Sequence, residues 1–353
     1  MRLWSGNPEK GAGVATIGVG AGGPYAIVVE LAKQIEAKGF DAVWVSETNQ
    51  DSIVLASVIG QATEHIDVGT NITLAFPRSP VVTAMSAWDL NELTGDRFVL
   101  GLGSQVKRII EERFSADFDR PAKRMGEYVQ AMDTVWRQER GENITFEGEI
   151  YGVKRPGLNG LGRATDRKLP RTYVAAVGPL MVKAAATYAD GILGHPFTSD
   201  RYIANHVVPS VEDALGEVGR DRGDFQVCTG LIVSIDDDRQ SAINDAKAQI
   251  AFYGSTPNYK PVFASYGDEY LTDILNRTFK QSKGNLDAMI AAVPDEAVER
   301  YAVAGTPAEV KDRMADYDNL VDHVIVGPPW FKQDFAKLGA RLWAILETLG
   351  PKA

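Results

Sequence analysis

Cysteine is almost missing from this chain: Cys228 is the single one among 353 residues. One thiol cannot form an internal disulfide, and its place in an apolar, strand-like run predicts a small buried side chain in a reducing, cytoplasmic setting. Histidine is scarce as well. His65, His195, His206 and His323 show no spacing of the kind that ligates a metal, so no zinc centre is expected. Long apolar runs are absent, and so is a basic segment leading into an apolar one near the N-terminus, which predicts a soluble protein with no membrane partner. Positive charge is in deficit, 37 Lys and Arg against 47 Asp and Glu, for a net charge of −10. That balance argues against general nucleic-acid binding. It leaves room for an anionic cofactor held by local cations and helix N-termini. Neither repeats nor a linker divides the chain, so residues 1–353 are expected to form one domain.

What is present is a β/α rhythm. Strand-like Val14 to Val19 precedes a helical stripe, Tyr25 to Lys38, stopped by Gly39. Ala42 to Val45 and Asp67 to Ala75 read as the next strands, with helices Ile53 to Thr63 and Val81 to Leu93 after them. Both helices are apolar nearly all round, which predicts that another subunit covers them, hence a homodimer. Further strands are expected at Thr172 to Val177, Gly191 to Gly194, Gln226 to Ser234 and His323 to Val326, with a hairpin in Ile144 to Val153. A helical insertion is expected at about 254–297, where the rhythm lapses. Eight strands, each followed by a helix, give a (β/α)8 barrel, the TIM-barrel class, with insertions.

The stretch Arg97 to Ser104 organises this reading. A run of apolar residues, Phe98 to Leu102, suits a strand covered on both faces, and it ends in Gly101, Gly103 and Ser104, where bare backbone admits a close approach. In a barrel, that carboxyl end is where chemistry happens. At the end of the second strand, Glu47 comes directly after buried apolar residues, so desolvation is expected to raise its pKa into a range useful for proton transfer. The structural alternative is a carboxylate that caps a neighbouring backbone N–H. Val177-Gly178-Pro179 opens a helix and offers free N–H groups to a phosphate. His195 could bind phosphate or transfer protons, or be a satisfied turn histidine. Gly18 to Gly23 also fits GxGxxG, a dinucleotide pattern, but eight β/α units are too many for that fold.

Taken together, GFDAVWVSE ending at Glu47, VGTNITLAFPRSP from Val68 to Pro80, Arg97 to Ser104, and Tyr173 to Gly191 resemble the bacterial luciferase-like superfamily. The likeness is greater to its branch using the deazaflavin coenzyme F420. This resemblance implies a luciferase-like barrel and a bulge with a non-prolyl cis peptide nearest Asn71–Ile72. Gly103 and Ser104 would flank the cofactor ring, and Ala176, Val177 and Gly178 would hold phosphate and side chain, with His195 and Thr198 close by. Many relatives carry histidine where Thr48 stands here, so Glu47, Asn49 or His195 would have to replace it. The function expected is hydride transfer between coenzyme F420 and a small organic substrate. An FMN-dependent monooxygenase and a non-catalytic flavin-binding protein are the alternatives. The substrate pocket is expected along 105–120 and 254–297, where Phe263, Tyr266 and Tyr270 could be lid, pocket or core.

Overall fold

Each apolar run assigned to the barrel becomes a parallel strand in the computed structural model, which describes residues 13–157 and 167–351. The barrel strands are β1 (Thr16–Ala21), β2 (Ala42–Val45), β3 (Asp67–Thr70), β4 (Phe98–Gly103), β5 (Arg171–Ala175), β6 (Gly191–Gly194), β7 (Gln226–Ile235) and β8 (His323–Gly327). They pair in chain order, and β1 closes the ring against β8, with Thr16 opposite His323 and Val19 opposite Val326. A closed ring leaves no crevice of the kind where a doubly wound sheet binds dinucleotides.

Gly18, the first glycine of the pattern near the start, serves packing instead. A Cβ on Gly18 would lie 2.5 Å from Trp44 Nε1 and 2.6 Å from His323 Nε2, and a Cβ on Gly69 would collide with the Trp44 ring. Glycine at these two points lets Trp44 turn inward and fill the barrel beside Val99, Tyr173, Leu193 and Cys228. The Trp44 indole N–H donates to His323 Nε2 at 2.9 Å, and His323 Nδ1 stands 2.7 Å from the Thr16 hydroxyl. That hydroxyl donates in turn to the Asp322 carbonyl at 3.1 Å. His323 is therefore a satisfied core histidine, donating from Nδ1, and Cys228 is fully buried as expected.

At the amino end of the strands charge is neutralised locally. Asp67 pairs with Arg171 at 2.9 Å, and burial pushes the Asp67 carboxyl upward against the pull of that guanidinium. Arg97 ties the end of helix Ser52–Ala62 to β4 by donating to the carbonyls of Gly60 and Thr63, at 3.2 and 2.8 Å. Charge pairing at this lower rim is a stability device rather than a site.

Three features matter above the strands. The run Asp67 to Ala75, read from periodicity as one strand, bulges after Thr70 through Asn71 and Ile72, joined by the cis peptide that the resemblance implies, and resumes as Thr73–Leu74 against β4. The 105–120 connection contains a helix, Lys107–Phe114. The insertion is helical as expected, with helices Tyr270–Ser282 and Leu286–Ala291 among its parts, but after it comes a short strand, Val303–Gly305, beside the upper end of β7. Phe263, Tyr301 and Phe197 anchor a second apolar core beneath it.

Candidate active site

Two walls face each other across the carboxyl mouth of the barrel. The first is built from β2, the bulge and β4. Asn71 N–H donates to the Val45 carbonyl at 2.7 Å and Glu47 N–H to the Ile72 carbonyl at 3.2 Å, so the bulge is laced to the end of β2. Across from it, Gly101 and Gly103 have no side chain because the bulge already occupies that space. A Cβ on Gly101 would collide with the Thr70 carbonyl, and one on Gly103 with the end of the Ile72 side chain. What approaches this bare backbone is the end of β3 and the bulge after it. Ser104 stands at the rim, its hydroxyl donating to the Gln105 carbonyl at 3.2 Å.

Glu47 sits inside this wall with both oxygens engaged. Oε2 accepts from the Leu74 N–H at 2.8 Å and from Arg78 Nη1 at 2.9 Å, while Oε1 lies 2.7 Å from Arg78 Nη2. Arg78 also reaches Asp51 at 2.6 Å. The side chain of Glu47 is 6% exposed and that of Arg78 20%, so the pair is largely shielded. This geometry is the capping alternative: the carboxylate pins the strand that resumes after the bulge. Asn49 lies on the surface, where its Oδ1 and the Thr48 carbonyl accept from Arg113 at 3.2 and 3.1 Å. Glu47 and Asn49 thus belong to separate networks.

A second group of expected residues does come together. Ala176, Val177, His195 and Thr198 line one small, largely apolar pocket, with Gly178 next to it as the N-cap of helix Pro179–Tyr188. That helix has no acidic residue in its first turn, and a Cβ on Gly178 would meet nothing within 4 Å. An open, uncontested helix N-terminus suits an anionic group. Lys183, one turn in, is taken by Glu217. His195 is the satisfied turn histidine: Nδ1 accepts from the Phe197 N–H at 3.0 Å and Nε2 meets the Tyr259 hydroxyl at 2.9 Å. Burial lowers its pKa to about 4, so the ring is neutral at ordinary pH with its proton on Nε2.

The opposite wall comes from β7, β8, helix Arg239–Gly254 and the loop after β8, and no expected site residue lies on it. The cleft between the walls encloses about 630 Å3, counting its open mouth. Trp44, Ser46 and Asn71 face Gln249 and Tyr253 of that helix and Trp330 of that loop. None of its lining falls in 105–120 or 254–297. Phe263 is core, Tyr266 hydrogen-bonds Asp200 at 2.7 Å, and Tyr270 is exposed. Gln249 is 1% exposed; its Oε1 accepts from the N–H groups of Trp330 and Phe331 at 2.8 and 2.9 Å. Two donors on one oxygen fix which way the amide points. Nε2 is left buried with no partner among the described residues, a state that costs roughly 1–3 kcal/mol. No local signal in the sequence singles out this wall, since Gln249 shares its buried helix face with another polar residue, Asp245.

Comparison with known proteins agrees with this geometry. The chain is 35% identical to an uncharacterised protein of Mycobacterium tuberculosis over 301 residues, 84% of this chain and 88% of that one. To 5,10-methylenetetrahydromethanopterin reductase of Archaeoglobus fulgidus it is 28% identical over 307 residues, again 84% of this chain and 88% of that one. Among solved structures, the coenzyme F420-dependent tetrahydromethanopterin reductase of Methanopyrus kandleri superposes with a TM-score of 0.78 at 22% identity, covering 96% of this chain and 98% of that one. An FMN-bound Baeyer–Villiger monooxygenase component of Pseudomonas putida shares the same fold with a TM-score of 0.65 at 16% identity, covering 96% and 98%. The model of the luciferase-like monooxygenases matches residues 10–323, and the chain belongs to that family of oxidoreductases.

Proposed function

We propose that the protein is a coenzyme F420-dependent oxidoreductase that moves a hydride between the deazaflavin and a small organic substrate. The observation that carries this reading is the open N-terminus of helix Pro179–Tyr188 beside the Ala176–Val177 pocket. An anionic tail needs that feature, and the residues present fit it. The name of the Archaeoglobus fulgidus reductase, and the cofactor named for the Methanopyrus kandleri enzyme, support the same choice.

When bound, the deazaflavin supplies the hydride. The chain's own work is to bind and orient. In this reading Gly178, Ala176, Val177, Thr198 and the His195–Tyr259 pair receive the phosphate-bearing side chain, and Asn71, Ile72, Gly103 and Ser104 back the ring. Glu47 is a positioning residue that holds the bulge through Leu74 and Arg78, and Asn49 shapes the mouth through Arg113. FMN would use the same cradle, and the FMN-bound neighbour favours that as the second reading.

We infer a homodimer from exposed Val54, Val82, Met85 and Leu93 on helices Ser52–Ala62 and Pro80–Leu93, and a cytoplasmic setting. Light scattering is expected to give twice the chain mass. The functional test is fluorescence titration of oxidised coenzyme F420 with purified protein. Saturable quenching at micromolar cofactor is expected. Tight FMN binding with no response to coenzyme F420 would overturn the reading.

A further inference from the structure

The unpartnered Gln249 amide has no role in holding the fold that its Oε1 does not already perform. Its oxygen anchors the loop after β8 through the N–H groups of Trp330 and Phe331, and this fixes Nε2 as a donor with no acceptor among the described residues. The same side chain forms part of the cleft wall facing the bulge. A buried donor held rigid from behind, at a cleft where a ligand is expected, is the arrangement by which proteins select a ligand oxygen.

The rest of the cleft narrows the ligand further. Among the described residues no charged side chain lines it. Trp330 and Tyr253 supply aromatic surface, their rings 6.1 Å apart at 81°. Burial raises the Tyr253 phenol to about 12, so it stays neutral and protonated. A carboxylate or phosphate placed here would lose its hydration with no cation in the wall to replace it.

We propose that Gln249 is the specificity-determining residue of this site, donating from Nε2 to the oxygen of an uncharged carbonyl substrate, a ketone or aldehyde, or of the alcohol it interconverts with. The proposal rests on the coenzyme F420 reading. In the reducing direction the carbonyl carbon gains a hydride, two electrons lost by the reduced deazaflavin. The C=O π pair moves to the oxygen, and a proton from water completes the alcohol. A donor on that oxygen stabilises the charge that develops there.

The test uses the full-length protein saturated with oxidised coenzyme F420, into which cyclohexanone, then acetophenone, then 4-oxocyclohexanecarboxylate are titrated calorimetrically. The wild type should bind at least one neutral ketone saturably and the carboxylate analogue at least tenfold more weakly. Gln249→Glu keeps an oxygen for the Trp330 and Phe331 N–H groups while replacing the donor, and Gln249→Met removes both. Each should weaken ketone binding at least tenfold and leave the coenzyme F420 Kd within twofold. Ketone affinity unchanged in both variants, or no ketone binding by the wild type, overturns the proposal. So does a raised coenzyme F420 Kd with ketone affinity intact, which would assign the donor to a ring carbonyl of the cofactor. Absence of coenzyme F420 binding, seen before any ketone is added, would strike the cofactor reading itself.

Discussion

The two walls of the cleft are made by different means. On the β2–β4 side the buried carboxylate and the backbone of the bulge meet protein partners: Glu47 is held by Leu74 and Arg78, the bulge by Val45 and Glu47, and the glycines of β4 pack against the end of β3 and the bulge. On the β7–β8 side Gln249 keeps a donor in reserve, and aromatic rings replace the backbone lacing. The first wall is a fixed surface and the second is a selective one. A shared cofactor calls for the former, while substrates that differ among relatives call for the latter.

If that contrast is right, damage to the first wall should be felt by the fold as well as by the site. The largest effect is expected from Gly101→Ala, because the new methyl meets the Thr70 backbone carbonyl, which cannot step aside. We expect a loss of about 3 kcal/mol, read as a lower urea midpoint. An unchanged midpoint would mean that β3 and β4 are not interlocked as described. Next comes Arg78→Met. It leaves the shielded Glu47 carboxylate without its cation, at an expected cost of about 2–3 kcal/mol, with Asn49→Ala as a control near zero. Should the two cost the same, Glu47 is no anchor.

His195, which lines the separate pocket beside helix Pro179–Tyr188, gives the smallest effect. Its folded pKa of about 4 lies below its ordinary value of 6.5 because burial disfavours the charged ring. The unfolded chain therefore binds the proton more readily between those values. The stability this histidine contributes is present above pH 6.5 and is lost as pH falls toward 4. From pH 7 to pH 5 that amounts to about 1–2 kcal/mol. His195→Gln should flatten this part of the profile; an unaltered slope would show that the ring titrates freely.

The same contrast explains what the sequence discloses. Barrel order and the helix that opens at Gly178-Pro179 are legible because each is written in a contiguous run, where periodicity and glycine placement report backbone constraints; the bulge at Asn71–Ile72 is legible only through the family resemblance, since periodicity alone reads Asp67 to Ala75 as one strand. The reason for Gly101 and Gly103 is not legible, since the partner that crowds them lies some thirty residues away in β3 and the bulge after it. Arg78 escapes notice for the same reason: its pairing with Glu47 depends on how the chain turns after Leu74. Gln249, Tyr253 and Trp330 converge from a helix and a distant loop, and no local pattern marks that meeting. Past Gly254, where the rhythm lapses, the structure has helices, and Phe263 there serves a second core rather than the cleft.

The division of labour between the walls is tested most directly by one pair of titrations. Gly103→Ala displaces the Ile72 side chain against which it would collide, and Gln249→Glu alters only the far wall. Measured by fluorescence quenching, the coenzyme F420 Kd should rise at least fivefold in the first variant and stay within twofold of wild type in the second. Equal weakening in both, or weakening in Gln249→Glu alone, would contradict the account.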